Sequence, residues 1–114
     1  MPGKMEDLTP AQVARKLAAH EIMLIDVREP DEFAVERIHG ALLYPLSTFD
    51  PAALPADLPI VFQCGSGMRS AKAMAVAGKA GIQVAGHLVG GINAWKQAGL
   101  PVASTDPATG KLRG

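Results

Sequence analysis

A chain of 114 residues, 48% hydrophobic and 19% charged, has the composition of a folded protein and room for one compact domain, which at this size buries about two-thirds of the surface its unfolded chain exposes. Eleven basic and eleven acidic side chains cancel, so a nucleic-acid or anionic-membrane binder is disfavoured and any anion site must be local. One cysteine, Cys64, rules out an internal disulfide, and the scattered His20, His39 and His87 show no zinc spacing.

The first residues, MPGKMEDLTP, are polar and carry early acids, unlike a secretory leader, and Lys79 interrupts the most apolar helical stretch well short of a membrane span. The expectation is a soluble, cytoplasmic protein. Thr9-Pro10 with Gln12 predicts a capped helix over about residues 10 to 19, its inward face carrying Val13, Ala14, Leu17 and Ala18. Residues 22 to 25 are apolar without alternation, as in a strand covered on both faces, and run into Asp26-Val27-Arg28. Pro30, Asp31 and Glu32 start a short helix holding Phe33; Gly40 closes the next turn, and a second buried strand is expected over 41 to 44.

Four prolines between Pro45 and Pro59 mark a surface connection with one helical turn near 47 to 49. A third strand, 60 to 63, leads directly into Cys64. The spacing predicts a helix over 70 to 79 ended by Gly81, a strand over 84 to 88, and a last helix over 92 to 98 that carries Trp95 as a core residue and stops at Gly99. Residues 1 to 103 are read as the domain. Residues 104 to 114 offer only Leu112 to bury and are expected to form a loose tail. Strands alternating with helices predict an α/β domain with a mainly parallel central sheet of about five strands and helices on both faces. Such sheets bind ligands at the carboxyl ends of their strands, where Asp26 and Cys64 both fall.

The stretch after Cys64 reads Gly65, Ser66, Gly67, Met68, Arg69, Ser70. A strand-to-helix turn leaves its peptide N–H groups without backbone partners, and glycines at alternate positions permit a nest that converges on one anion. The following helix adds its positive end. A helix terminus is worth ~0.3–1 kcal/mol, up to ~2 when partly buried, so the dipole alone lowers the thiol by about one pKa unit at most. Direct N–H donors and the Arg69 guanidinium must supply the rest if Cys64 is to be a thiolate at neutral pH. The loop lacks the third glycine of a dinucleotide motif and the Gly-Lys of a P-loop, so no nucleotide and no other cofactor or metal is expected. Ser70 is read either as a helix cap or as a neighbour of the sulfur. His39 and His87, with no visible partner, are read as structural.

CGSGMRS at 64 to 70, with DVREPDEF at 26 to 33, RIHGA at 37 to 41 and HLVGGINAWKQAGLPV at 87 to 102, resembles the single-domain rhodaneses, sulfurtransferases that carry sulfur as a cysteine persulfide. The resemblance covers most of the chain outside the tail. It implies a ping-pong reaction in which Cys64 takes sulfur from a small sulfur-containing anion such as thiosulfate and passes it to cyanide, a thiol or a sulfur-acceptor protein. Residues 65 to 70 would bind substrate, and Asp26 with Arg28 would support the site by ion pairing. Two positions depart from the family pattern: His39 where proline is usual, and Gly65 where many members carry a basic residue. The rival readings are a cysteine-loop phosphatase or arsenate reductase, whose related loops are one residue longer than this Cys-x4-Arg, and a rhodanese-like binding module without turnover.

Overall fold

In the computed structural model, which describes residues 5–106 and 108–113, the chain builds a central five-stranded sheet from β1 (Glu6–Leu8), β2 (Met23–Asp26), β4 (Leu42–Leu43), β5 (Ile60–Gln63) and β6 (Val84–Leu88). Every pairing in it is parallel, in the order β1-β6-β5-β2-β4. Parallel neighbours need crossovers, and α1 (Pro10–Ala18), α3 (Met68–Lys79) and α4 (Gly91–Gln97) cover both faces. On one face Val13 of α1 and Ile92 and Trp95 of α4 pack on Leu8, Leu24, Val61 and Leu88. On the other, Ala73 and Ala77 of α3 pack on Ile25, Ile60, Phe62 and Val84. The period-two alternation of strand side chains divides the residues this way: Leu24 and Val61 point to one layer, Ile25 and Phe62 to the other.

Local chemistry agrees with these elements. The Thr9 hydroxyl accepts from the Gln12 N–H, while the Gln12 side chain accepts from the Thr9 N–H, a complete capping box. Gly40, Gly81 and Gly99 take the positive φ values their turns require. The proline-rich connection contains two short 3-10 turns, Leu46–Thr48 and Pro51–Ala53, where one was expected.

Four strands were not foreseen. β1 extends the sheet at the edge by pairing with β6, and β3 (Glu36–Arg37) follows α2 (Pro30–Val35) directly. The segment after 103, expected to be loose, instead holds β7 (Ala103–Thr105) and β8 (Leu112–Arg113) in a second, antiparallel sheet with β3. Whereas β1 sets Leu8 in the core, β3, β7 and β8 are fastened by main-chain hydrogen bonds and bury little apolar side-chain surface, so composition carries no sign of them. Among the described residues no helix is long and apolar enough to cross a membrane.

Candidate active site

Asp26 is in register with Gln63, so the turns that follow β2 and β5 leave the sheet side by side at its carboxyl end. Cys64 is the first residue beyond β5 and only 1% exposed. Its carbonyl accepts from the Ile92 N–H at 2.8 Å, and the Gly65 carbonyl accepts from the Asn93 N–H at 3.1 Å. The start of α4 thereby holds the loop's carbonyls from behind. That approach explains Gly91: with φ +58°, a Cβ there would lie 2.7 Å from the Gly65 carbonyl carbon and closer still to the Cys64 oxygen.

With the carbonyls drawn back, N–H groups face the sulfur. Gly67 N donates to Cys64 Sγ at 3.1 Å and Ser70 N at 3.4 Å, and the Ser66 N–H also favours the thiolate. Of the two loop glycines only Gly67 has a positive φ, +106°, which turns the chain into α3. The nest is therefore smaller than six converging amides. Burial pushes the Cys64 thiol up, but the Ser70 hydroxyl and the N–H groups of Ser70, Gly67 and Ser66 outweigh it and hold the thiol below its ordinary value.

Ser70 is not a helix cap. The helix begins at Met68 behind Gly67, and the buried Ser70 hydroxyl lies 3.5 Å from Cys64 Sγ, 3.1 Å from the Gly67 carbonyl and 2.9 Å from His87 Nδ1. His87, on β6 beside Phe62, has its Nε2 3.1 Å from Asp7 Oδ1. Expected to lack partners, His87 has two. Met68 is 82% exposed and stands at the rim.

The described hydrogen bonds of the Arg69 guanidinium go to a carboxylate and not to the sulfur. The guanidinium makes a bidentate pair with Glu32 of α2, at 2.7 and 2.9 Å, while remaining close enough to Cys64 for the charges to sense one another. An arginine in the first turn of a helix opposes the helix dipole and needs an anion, and the protein supplies its own. The Arg69 hydrogen bond holds the Glu32 carboxyl down at about 2, against burial that would raise it. Glu32 also accepts from the Glu29 N–H, so one carboxylate caps α2 and tethers the loop.

Asp26 and Arg28 form a buried ion pair, closest at 2.8 Å, and Arg28 Nη2 donates to the Glu36 carbonyl. Their described hydrogen bonds serve the turn into α2 and β3, beside the loop and not in it. A groove of about 610 Å³ lined by Leu17, Leu42, Trp95 and Pro101 includes no residue of 64 to 70. Among the described residues no group of three or more His, Cys, Asp or Glu is placed to hold a metal ion.

A model of the rhodanese-like domain matches residues 9–98. The chain belongs to the rhodanese-like domain family. A protein of Synechocystis sp. described as uncharacterized, slr1261, is 44% identical over 89 residues, which is 76% of this chain and 50% of that one. A protein of Allochromatium vinosum named sulfurtransferase is 30% identical over 105 residues, 90% of this chain and 98% of that one. A rhodanese-related protein of Thermoplasma volcanium has the same fold, with a TM-score of 0.76 at 26% identity over 85% of this chain and 96% of that one. The relatives differ in length, and the chain spans half of the Synechocystis protein. The fold expected from the sequence, a mainly parallel five-stranded sheet with flanking helices, is the one these relatives share. The rhodanese-like domain is thus shared with relatives that are named sulfurtransferases.

Sequence reasoning missed Glu32 and His87 as neighbours of the loop. Glu32 is 37 positions from Arg69, and only the packing of α2 against the loop joins them. For His87 there was a usable signal: it lies near the carboxyl end of the strand predicted to follow the cysteine helix, where a parallel neighbour of β5 faces the same site.

Proposed function

We propose that the chain moves sulfane sulfur from a donor such as thiosulfate to a thiophilic acceptor through a persulfide on Cys64. The observation that carries this reading is the set of donors aimed at the only sulfur nucleophile of the chain: the Gly67 and Ser70 N–H groups and the Ser70 hydroxyl. In the first half-reaction the Cys64 thiolate attacks the outer sulfur of thiosulfate; the S–S bond breaks and its electron pair leaves with sulfite, which needs no proton. In the second, cyanide or a thiolate attacks the terminal sulfur and Cys64 departs as the thiolate it was. Residues 65 to 70 form the cradle, in which the N–H groups stabilise the sulfur that gains charge. Asp26 and Arg28 support it through the adjacent turn. The buried sulfur favours a donor that presents a single reacting atom. A lone thiol that must remain reduced suits a reducing compartment such as the cytoplasm.

The phosphatase or arsenate reductase reading is weaker, because a tetrahedral oxyanion needs the loop guanidinium and Arg69 is bound to Glu32. The test is intact mass after thiosulfate treatment. One added sulfur is expected, lost on cyanide and absent in Cys64→Ser. No added mass on folded wild-type protein would overturn the reading, and phosphate release from an aryl phosphate would replace it.

A further inference from the structure

The line from Asp7 through His87 and Ser70 to Cys64 has more order than side-chain packing demands. Its members come from β1, β6, α3 and the end of β5, four separate elements. The distances are 3.1 Å from Asp7 Oδ1 to His87 Nε2, 2.9 Å from His87 Nδ1 to Ser70 Oγ, and 3.5 Å from Ser70 Oγ to Cys64 Sγ. A carboxylate only accepts, so the Asp7 contact assigns a proton to Nε2. In the neutral ring Nδ1 then accepts. Ser70 donates to it at 2.9 Å, with the Gly67 carbonyl a second acceptor for the same hydrogen at 3.1 Å, and the Ser70 oxygen accepts from the Cys64 thiol. Every donor meets an acceptor.

The same is true after a double hop. If the thiol proton passes to Ser70 Oγ and the original Ser70 proton passes to His87 Nδ1, the S–H bond has broken, an N–H bond has formed, and the electron pair stays on sulfur. His87 is then an imidazolium donating to Asp7 and Ser70, and Ser70 donates to the thiolate. The intermediate case, a thiolate beside a neutral His87, is frustrated: once Ser70 turns its hydrogen to sulfur, two lone pairs face each other at 2.9 Å. We propose that Ser70 is a proton relay between Cys64 and His87, and that His87 and Asp7 are positioning residues that take up the thiol's proton inside the protein and so favour the thiolate. The inference rests on Cys64 as the reacting atom but not on the identity of any sulfur donor. Other charges near the pair are already matched: Arg69 with Glu32 and Arg28 with Asp26. His87 is buried, whereas the Asp7 side chain is 75% exposed, so water screens the Asp7 contact and its share is the smaller one.

The test is the ultraviolet thiolate absorbance of the full chain against pH, taken as the difference from Cys64→Ser so that ionisation of Tyr44 cancels; it reads the only cysteine and needs no reagent to reach it. His87→Gln keeps a donor and an acceptor for Ser70 but cannot take up a proton. Half-ionisation should move about one pH unit higher, roughly a tenfold loss of thiolate at a given pH below it. Ser70→Ala should shift it at least as far, and adding His87→Gln to Ser70→Ala should do little more, since the connection is already cut. Asp7→Asn should shift it by about two- to threefold in thiolate population, the size of a screened surface pair. Superimposed titrations of wild type, His87→Gln and Asp7→Asn would overturn the relay, and a shift in His87→Gln alone would remove Asp7 from it. Should His87→Gln not fold, Ser70→Ala decides, because an unmoved titration there would overturn the relay. A wild-type protein with the expected titration that takes no sulfur from thiosulfate would sink the transfer reading and leave the relay standing.

Discussion

The turns after β2 and β5 leave neighbouring strands at the same end of one sheet, and each leads into a helix, yet they use their polar groups in opposite ways. After β2 the turn is closed on itself. The Asp26 carboxylate accepts from the Arg28 backbone and guanidinium, and the remaining guanidinium hydrogen bond goes to the Glu36 carbonyl. After β5 the carbonyls of Cys64 and Gly65 are given to the first N–H groups of α4, and the loop's own N–H groups are left to a single sulfur. A turn that satisfies itself positions its surroundings; one held from behind can present donors to something else. Glu32 joins the two, capping the helix that follows the first turn and pairing with Arg69 of the second.

The largest expected loss comes from breaking the closed turn. Asp26→Ala would leave Arg28, 4% exposed, as a buried cation without its partner, and stability to chemical unfolding should fall by about 3–5 kcal/mol. Next comes the support behind the open turn. In Gly91→Ala a methyl group must enter space held by the Cys64 and Gly65 carbonyls at a positive φ, at a cost of about 3 kcal/mol from overpacking and left-handed strain. The displaced loop should also raise the pH of thiolate formation, whereas a loss of stability with an unmoved titration would separate α4 from the cradle.

The smallest effect belongs to the tie between the turns. Glu32→Gln should lower stability at neutral pH by less than about 1 kcal/mol, because both partners of the Arg69 pair are more than a third exposed. Its folded-state value of about 2 lies below the ordinary 4.5, so the carboxylate's contribution is complete above 4.5 and is lost as the pH falls towards 2. Unfolding measured across that interval should show the gap between wild type and Glu32→Gln closing as acid is added. A gap that stays constant would mean that the pair contributes nothing through its charge.

Much of the fold was readable because its signals are local. Thr9-Pro10 with Gln12 caps a helix through contacts three residues apart, and the uninterrupted apolar run of 60 to 63 forms the buried strand it predicts. Gly81 and Gly99 end their helices through their own backbone freedom. The strands at 36 to 37, 103 to 105 and 112 to 113 were not readable, since two or three residues of main-chain pairing leave no hydrophobic period. At the site, glycine spacing and position marked the loop around Cys64. The pairing of Arg69 with Glu32 was not readable, because a guanidinium reaches for the nearest anion in space, and Glu32 is remote in sequence.

By itself, the order of residues determined a parallel α/β domain, the strand end at which chemistry is concentrated, and the one nucleophile that stands there. Periodicity, caps and glycines act within a turn or two of the chain, so they are written in it directly. Only the tertiary structure decided that the Arg69 charge is neutralised by Glu32 and that Ser70 connects Cys64 to His87 and Asp7. Those partners meet because strand register and helix packing bring four elements to one point, and the polar groups then pair by distance, which sequence spacing does not record.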